Sequence, residues 1–176
     1  IVPRYLLKDP NGRAVTDGDF RGRFQLISFG YTFCPDICPT TLVETAQILK
    51  QLGDEAARVQ PIFISLDPER DTPEQLKAYT AFFDPRILGL TGSPELVRRA
   101  ADSFRIQYEM VREPGAAPEN YTMNHTAGMV LLDPAGDFSY VPPEALAGFL
   151  AGLDHEAHYA ETVEGAFEVA LEGSSA

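Results

Sequence analysis

The chain contains only two cysteines, Cys34 and Cys38, and three residues separate them. An apolar run at 24–29 precedes the pair and is typical of a buried strand. A helical pattern of apolar residues follows the pair and ends at Gly53. We therefore expect the cysteines at the carboxyl end of a strand and beside a helix N-terminus, where backbone N–H groups and the helix dipole favour the thiolate. A thiolate is both a nucleophile and a soft metal ligand, so the pair predicts either thiol–disulfide exchange or metal binding.

Composition narrows the class of protein. With 176 residues, of which 44% are hydrophobic, the chain suits one globular domain. The net charge of −12, from 14 basic and 26 acidic residues, argues against nucleic acid and anionic membrane surfaces as partners. Two cysteines cannot form a disulfide framework in a chain of this size. No apolar run approaches the ~20 residues of a membrane span. The sequence begins abruptly, without a signal peptide, so we expect a processed chain whose targeting segment or anchor is absent from it.

The order of predicted elements is a β-hairpin, a βαβ unit, inserted α and β elements, a second β-hairpin and a helix. This order predicts an α/β, thioredoxin-like fold with an N-terminal β-hairpin and an inserted helix/strand segment, over residues 1–153. A tail at 154–176 carries six acidic residues and no Lys or Arg, and its apolar residues keep helical spacing. The predicted strands lie at 5–8, 13–16, 24–30, 59–66, 87–90, 106–112, 126–132 and 137–141, and the predicted helices at 40–52, 73–83, 94–103 and 144–153.

A histidine is the third candidate for the site. In a thioredoxin-like fold, the residue before the first strand of the C-terminal hairpin faces the cysteine loop, and His125 holds that place. A stretch at 113–124, without periodicity and rich in Pro and Gly, leads to it and is expected to be a functional or mobile loop. Two sulfurs and one imidazole suit three-coordinate Cu(I), with zinc as the second choice of metal.

Several motifs together resemble one family, the Sco/SenC proteins. The motif FGYTFCPDICP at 29–39 closely resembles their copper motif, and ISLDPERDTP at 64–73 and GLTG at 89–92 are also similar to theirs. His125, shortly before LLDPAG at 131–136, is in the expected place. The resemblance covers roughly residues 3–153.

This resemblance implies a copper chaperone that helps to assemble the copper A centre of cytochrome c oxidase. It implies Cys34, Cys38 and His125 as the metal ligands and copper as the metal, as Cu(I) with Cu(II) as a second state. The implied partners are the oxidase subunit that carries copper A and a further copper chaperone or thiol reductase. The implied location is the periplasm or the outer face of the inner membrane, with membrane contact only through an N-terminal anchor outside this chain.

A redox function remains as the alternative. A thiol reductase that acts on the oxidase subunit or on other exported proteins would use Cys34 and Cys38 as its redox pair, and one pair can serve both chemistries. General thioredoxin-type enzymes have two residues between their cysteines rather than three. Peroxiredoxins have Thr three residues before the reactive cysteine, where this chain has Tyr31.

The sequence gives weaker support for a functional role of other polar residues and of Met123. Asp36 is expected to contact a partner or to cap the helix. For Asp67, Arg70 and Asp71, at the end of a parallel strand, we favour an ion-pair network that fixes the loop. Met123 is expected to pack in its loop rather than to offer a thioether to copper. The last two candidates, His155 and His158, are three residues apart in the tail and are expected to be solvated rather than metal-bound.

Overall fold

The computed structural model describes residues 3–34 and 37–139, which form nine strands and three α-helices. The predicted last helix at 144–153 and the tail at 154–176, with His155 and His158, lie outside the described residues. The strands are β1 (Leu6–Lys8), β2 (Ala14–Thr16), β3 (Phe24–Gly30), β4 (Val59–Ser65), β5 (Leu88–Leu90), β6 (Tyr108–Val111), β7 (Thr122–His125), β8 (Met129–Leu132) and β9 (Phe138–Ser139), and the helices are α1 (Ile37–Leu52), α2 (Pro73–Phe83) and α3 (Pro94–Ser103).

A five-stranded sheet with the order β5-β4-β3-β8-β9 forms the centre of the domain. β3 is parallel to β4 and antiparallel to β8, and β5 extends the sheet beyond β4 in parallel. All seven residues of β3 are buried, as expected for a strand covered on both faces. The predicted thioredoxin-like α/β fold is confirmed, and the inserted segment between α2 and β8 contains β5, α3, β6 and β7.

The predicted N-terminal hairpin is also present, with Gly12 at its tip. Gly12 has φ 79°, the left-handed region that a tight turn requires and that glycine adopts without strain. The hairpin is tied to the sheet edge by backbone bonds between Lys8 and Thr91. It is also tied to β3 because Gln25 accepts a hydrogen bond from the Tyr5 hydroxyl at 2.8 Å and donates to the Asp17 carbonyl at 3.1 Å.

The first helix begins earlier than predicted. The sequence predicts a start near Thr40, whereas α1 begins at Ile37. Pro39 therefore lies in the first turn, where it is tolerated because the N–H groups of that turn have no partner within the helix. The consequence is that Cys38 belongs to the first turn of α1 rather than to the loop before it.

The segment that carries the histidine also differs from prediction. Residues 122–125 form β7, which pairs antiparallel with β6 and places His125 opposite Tyr108. The predicted loop at 113–124 is therefore too long, and the strand predicted at 126–132 is confined to β8. The Pro and Gly residues at 114–118 obscured the short alternation of exposed and buried residues in β7.

The starts of α2 and α3 are as predicted, because Thr72 and Ser93 accept hydrogen bonds from the third backbone N–H of each helix. A full capping box at Thr72 is not formed among the described contacts. The side chain of Gln75, the third residue of α2, instead donates to Thr32 Oγ1 at 2.8 Å. No helix in the described part of the chain is long and apolar enough to cross a membrane.

Gly89 provides a test of how α2 packs on β5. A Cβ atom at this position would lie 2.7 Å from Leu76 Cγ and 3.2 Å from Leu76 Cδ2. We expect Gly89→Ala to lower the free energy of unfolding by about 1–3 kcal/mol in urea titrations, because the core must shift to accept the methyl group. The matched control is Gly18→Ala, whose nearest neighbour, Thr16 Oγ1, is 3.5 Å away. Equal stability of the two variants would contradict this packing.

Candidate functional site

Three segments meet at the carboxyl ends of β3 and β4. The first is the cysteine loop, described at 31–34, the second is the β4–α2 loop at 66–72, and the third is the β6–β7 hairpin. The Leu66 N–H donates to the Gly30 carbonyl at 2.7 Å, which aligns the first two segments. The Met123 N–H donates to the Tyr31 hydroxyl at 3.1 Å, which brings the third segment to the first.

The cysteine loop begins with a tight turn. The Cys34 N–H donates to the Tyr31 carbonyl at 3.2 Å, and the Cys34 side chain is partly buried. It packs against a group of buried residues that we call the site-side core: Tyr31, Leu42, Phe63, Leu76, Ile87, Tyr121 and Met123. The backbone of Cys38 lies in the first turn of α1, while its side chain and Asp36 lie outside the described residues. This part of the chain thus places one cysteine against the site-side core and the other at a helix N-terminus.

A buried carboxylate holds the start of this loop. Asp71 accepts hydrogen bonds from the Thr32 N–H at 3.1 Å, from Thr32 Oγ1 at 2.6 Å and from Ser65 Oγ at 2.6 Å. Burial raises the pKa of Asp71, and the nearby Asp67 carboxylate adds to the effect, while the bonds from Ser65 and Thr32 oppose it. Thr32 is two residues before Cys34, so Asp71 fixes where the turn starts.

His125 lies at the end of β7 and faces the cysteine loop through Tyr31. The two rings are nearly perpendicular, with their centroids 6.2 Å apart. His125 Nδ1 is 2.9 Å from the Thr126 carbonyl oxygen, so Nδ1 is the donor and the lone pair lies on Nε2. A backbone acceptor on one ring nitrogen is the usual arrangement for a histidine that binds a metal through the other.

Met123 lies on the same face of β7 as His125 because residues two apart in a strand point to the same side. Its side chain is 9% exposed and belongs to the site-side core. The prediction that Met123 packs is confirmed, although it does so in a strand rather than in a loop.

The β4–α2 loop contains the ion-pair network that we predicted. Arg70 Nε donates to Asp67 Oδ2, and Tyr121, which the sequence analysis did not consider, donates through its hydroxyl to Asp67 Oδ1 at 2.7 Å. Burial raises the pKa of Tyr121 to about 12, and the hydrogen bond to Asp67 contributes in the same direction. Tyr121 therefore stays a hydroxyl donor at neutral pH, and it connects the hairpin to the β4–α2 loop.

The structure brings Cys34 and His125 into contact with one buried aromatic residue, Tyr31. Sequence reasoning missed the linking role of Tyr31 and Tyr121. The available signal was the placement of Tyr31 directly after a buried strand and of Tyr121 two residues before a buried methionine. A thiolate and an imidazole at one sheet edge can bind a soft or borderline metal ion, and a thiolate can also exchange with disulfides.

Comparisons with known proteins identify the family. The family model described as SCO1/SenC matches residues 1–148. The human protein named SCO2 homolog, mitochondrial, is 43% identical over 135 residues, which are 76% of this chain and 50% of that protein. This chain spans about half the length of the curated relatives it matches.

Solved structures give the same result. The structure of Bradyrhizobium japonicum ScoI with copper bound has a TM-score of 0.76 and 42% identity, and the match covers 85% of this chain and 97% of that one. BsSco, described as a member of the Sco family of cytochrome c oxidase assembly proteins with a disulfide switch, has a TM-score of 0.58 and 25% identity, over 85% and 90% of the two chains.

The raised pKa of Asp71 can be tested through the pH dependence of stability, with Asp84 as a control for which the opposite dependence is expected. The folded-state pKa of Asp71 is raised, so its stability contribution is full below its ordinary pKa and is lost as the pH rises through the folded-state pKa. The pKa of Asp84 is lowered by hydrogen bonds from Arg86, so its contribution is present above its ordinary pKa and is lost as the pH falls.

We therefore expect Asp71→Asn to cost more stability at about pH 3 than at pH 7, and Asp84→Asn to cost less at about pH 3 than at pH 7, because pH 3 lies below the ordinary pKa of both carboxyls. Urea unfolding of the wild type and both variants at the two pH values measures this. The same pH trend for both variants would contradict the environment described for Asp71.

Proposed function

Because this chain belongs to the SCO1/SenC family, we propose that it is a copper-binding chaperone that acts in the assembly of cytochrome c oxidase. Support comes from a relative with copper bound at 42% identity and from a family member described as an oxidase assembly protein. The proposal concerns the domain predicted at 1–153, and the acidic tail at 154–176 stays a predicted helical appendage.

The single observation that carries the proposal is the placement of the site residues. Cys34 packs against the site-side core, His125 faces Tyr31 of that same core, and Cys38 lies in the first turn of the helix that follows. We assign the thiolates of Cys34 and Cys38 and Nε2 of His125 as the ligands of the copper cargo. Two soft sulfurs and one imidazole suit Cu(I), and the absence of a fourth protein ligand from this set makes zinc the second choice.

The finer part of the proposal is delivery to the copper A centre. A three-coordinate Cu(I) ion can accept a ligand from the receiving subunit before it leaves its own, so exchange needs no free copper. The partial exposure of Cys34 and the 52% exposure of neighbouring Phe33 leave this edge of the domain open to such a partner. The human relative is named as mitochondrial, and for this chain we propose the periplasm or the outer face of the inner membrane. The predicted anchor remains a prediction.

Thiol–disulfide exchange remains the alternative function. Copper binding is favoured because similar structures have copper bound. The two chemistries compete for the same sulfurs, because a disulfide cannot act as a pair of thiolate ligands. The proposal therefore includes a redox condition: only the reduced pair takes up Cu(I).

The ligand assignment is tested by copper stoichiometry. We expect reduced wild-type protein to retain one Cu(I) per chain after desalting, and Cys34→Ala and Cys38→Ala to retain little. His125→Ala should weaken binding less than either cysteine change, because two thiolates alone can hold Cu(I) linearly. Met123→Leu is the matched control, since Met123 lies on the same face of β7 and packs in the site-side core. Unchanged copper retention in both cysteine variants would rule out the assigned site.

The delivery step is tested with a soluble copper A domain of the oxidase subunit. Mixed with copper-loaded protein, this domain should gain copper, while protein oxidised beforehand should neither load nor transfer. Absorption of the copper A centre and the thiol content of both proteins measure the exchange. Disulfide reduction in the copper A domain by the copper-free protein, without any copper transfer from the loaded form, would favour the redox alternative.

A further inference from the structure

Arg70 contacts both halves of the candidate site. It lies in the β4–α2 loop, its side chain is 16% exposed, and its ion-pair partner Asp67 is 4% exposed. The sequence predicted for it only a role in fixing its own loop. Its contacts extend further, to the cysteine loop on one side and to the β6–β7 hairpin on the other.

On the hairpin side, Arg70 binds the backbone of the segment that enters β7. Its Nη1 donates to the Tyr121 carbonyl at 2.9 Å and to the Glu119 carbonyl at 3.3 Å. Its guanidinium carbon lies 3.6 Å from the centroid of the Tyr121 ring, a close cation–π stack. The Tyr121 hydroxyl and Arg70 share the Asp67 carboxylate, so the three groups hold each other in place.

On the cysteine side, the same guanidinium carbon lies 4.8 Å from the centroid of the Phe33 ring and 5.7 Å from that of Tyr31. Phe33 directly precedes Cys34, and Tyr31 contacts the His125 ring. Arg70 therefore lies between Phe33, the neighbour of the assigned ligand Cys34, and the segment that leads to the assigned ligand His125.

This position matters because the hairpin is a sheet of its own. Among the described strands, β6 and β7 pair only with each other, whereas β3 is hydrogen-bonded into the five-stranded sheet. The location of His125 relative to Cys34 is thus set by side-chain contacts and loop hydrogen bonds, not by a continuous strand ladder. Arg70 supplies two of those hydrogen bonds and the ring stack.

A lysine at position 70 could not make the same set of contacts. Arg70 uses a planar group that stacks on rings while Nε and Nη1 donate in fixed directions. Its buried Nη2 has no hydrogen-bond partner among the described residues. An ammonium group could keep the charge near Asp67 but not both the stack and the bonds to the hairpin backbone.

We propose that Arg70 is a positioning residue that sets His125 against the cysteine loop, so that the histidine takes part in binding the copper cargo together with the two thiolates. This inference rests on the function proposed above. It assigns Arg70 no contact with the metal: its effect on copper passes through His125.

A double-mutant cycle tests this dependence. The Cu(I) dissociation constants of wild type, Arg70→Met, His125→Ala and the double variant are measured by competition with a chromophoric Cu(I) chelator. Arg70→Met should weaken binding about 10- to 100-fold, as loss of a residue that orients a metal ligand does. In the His125→Ala background the same change should have little further effect. An equal loss in both backgrounds would overturn the proposal, because Arg70 would then act on the thiolates or on the fold.

Two further variants separate positioning from stability. Arg86→Met is the matched control, because Arg86 also forms an ion pair with an aspartate, Asp84. Its carbonyl accepts a hydrogen bond from Gln60 near the start of β4, at the end of that strand away from the site. Its copper affinity should equal that of the wild type. Arg70→Lys keeps the charge and serves if Arg70→Met does not fold. It should still lose affinity in a His125-dependent manner, and full rescue by lysine would contradict the role of the planar group.

A copper-free measurement keeps the inference testable if the chain binds no copper. NMR of the histidine rings, with the His125 signals assigned through His125→Ala, reports the ring current of Tyr31. We expect Arg70→Met, but not Arg86→Met, to shift these signals in apo protein as the ring leaves its place. Unshifted His125 signals in folded Arg70→Met would overturn the positioning role regardless of the fate of the copper proposal.

Discussion

The parallel pairing of β3 with β4 is the constraint on which the site depends. The two strands pair over seven positions, so the loops that follow them emerge side by side at one edge of the sheet. One loop carries Cys34, and the other carries two buried carboxylates, Asp67 and Asp71. Buried carboxylates must be hydrogen-bonded or ion-paired, so their partners determine how the neighbouring loops are held. Asp71 accepts hydrogen bonds from the backbone N–H and the hydroxyl of Thr32. Asp67 accepts hydrogen bonds from Arg70 and from the hydroxyl of Tyr121 beside the hairpin.

The two parts of the site are held differently: the cysteine loop is bonded to the central sheet, whereas the hairpin that carries His125 is not part of that sheet. Thr32 is fixed by a carboxylate anchored to the sheet through Ser65, so the start of the cysteine loop has little freedom. His125 lies on a two-stranded sheet that is joined to the rest of the described domain by side chains and loop contacts. For the copper chaperone that we propose, such a division would let His125 move while the start of the cysteine loop stays in place.

Much of this arrangement was predictable from sequence. Hydrophobic runs and helix caps give the strand order, and the strand order brings a residue near 125 to the cysteines. The errors have local causes. The sequence predicts that Pro39 precedes the helix, although the first turn of a helix tolerates proline. β7 was hidden by the Pro and Gly residues at 114–118. The partners of Gln75 and Tyr121 could not be predicted, since each hydrogen bond joins residues more than 40 positions apart.

The central claim is that Cys34, Cys38 and His125 together bind copper. X-ray absorption spectroscopy of the wild-type protein loaded with one Cu(I) tests it most directly, because sulfur and imidazole give distinct scattering. The account predicts a first shell of two sulfurs and one nitrogen, with the outer-shell scattering of a single imidazole that disappears in His125→Ala. A first shell without sulfur, or imidazole scattering that persists in His125→Ala, would contradict it.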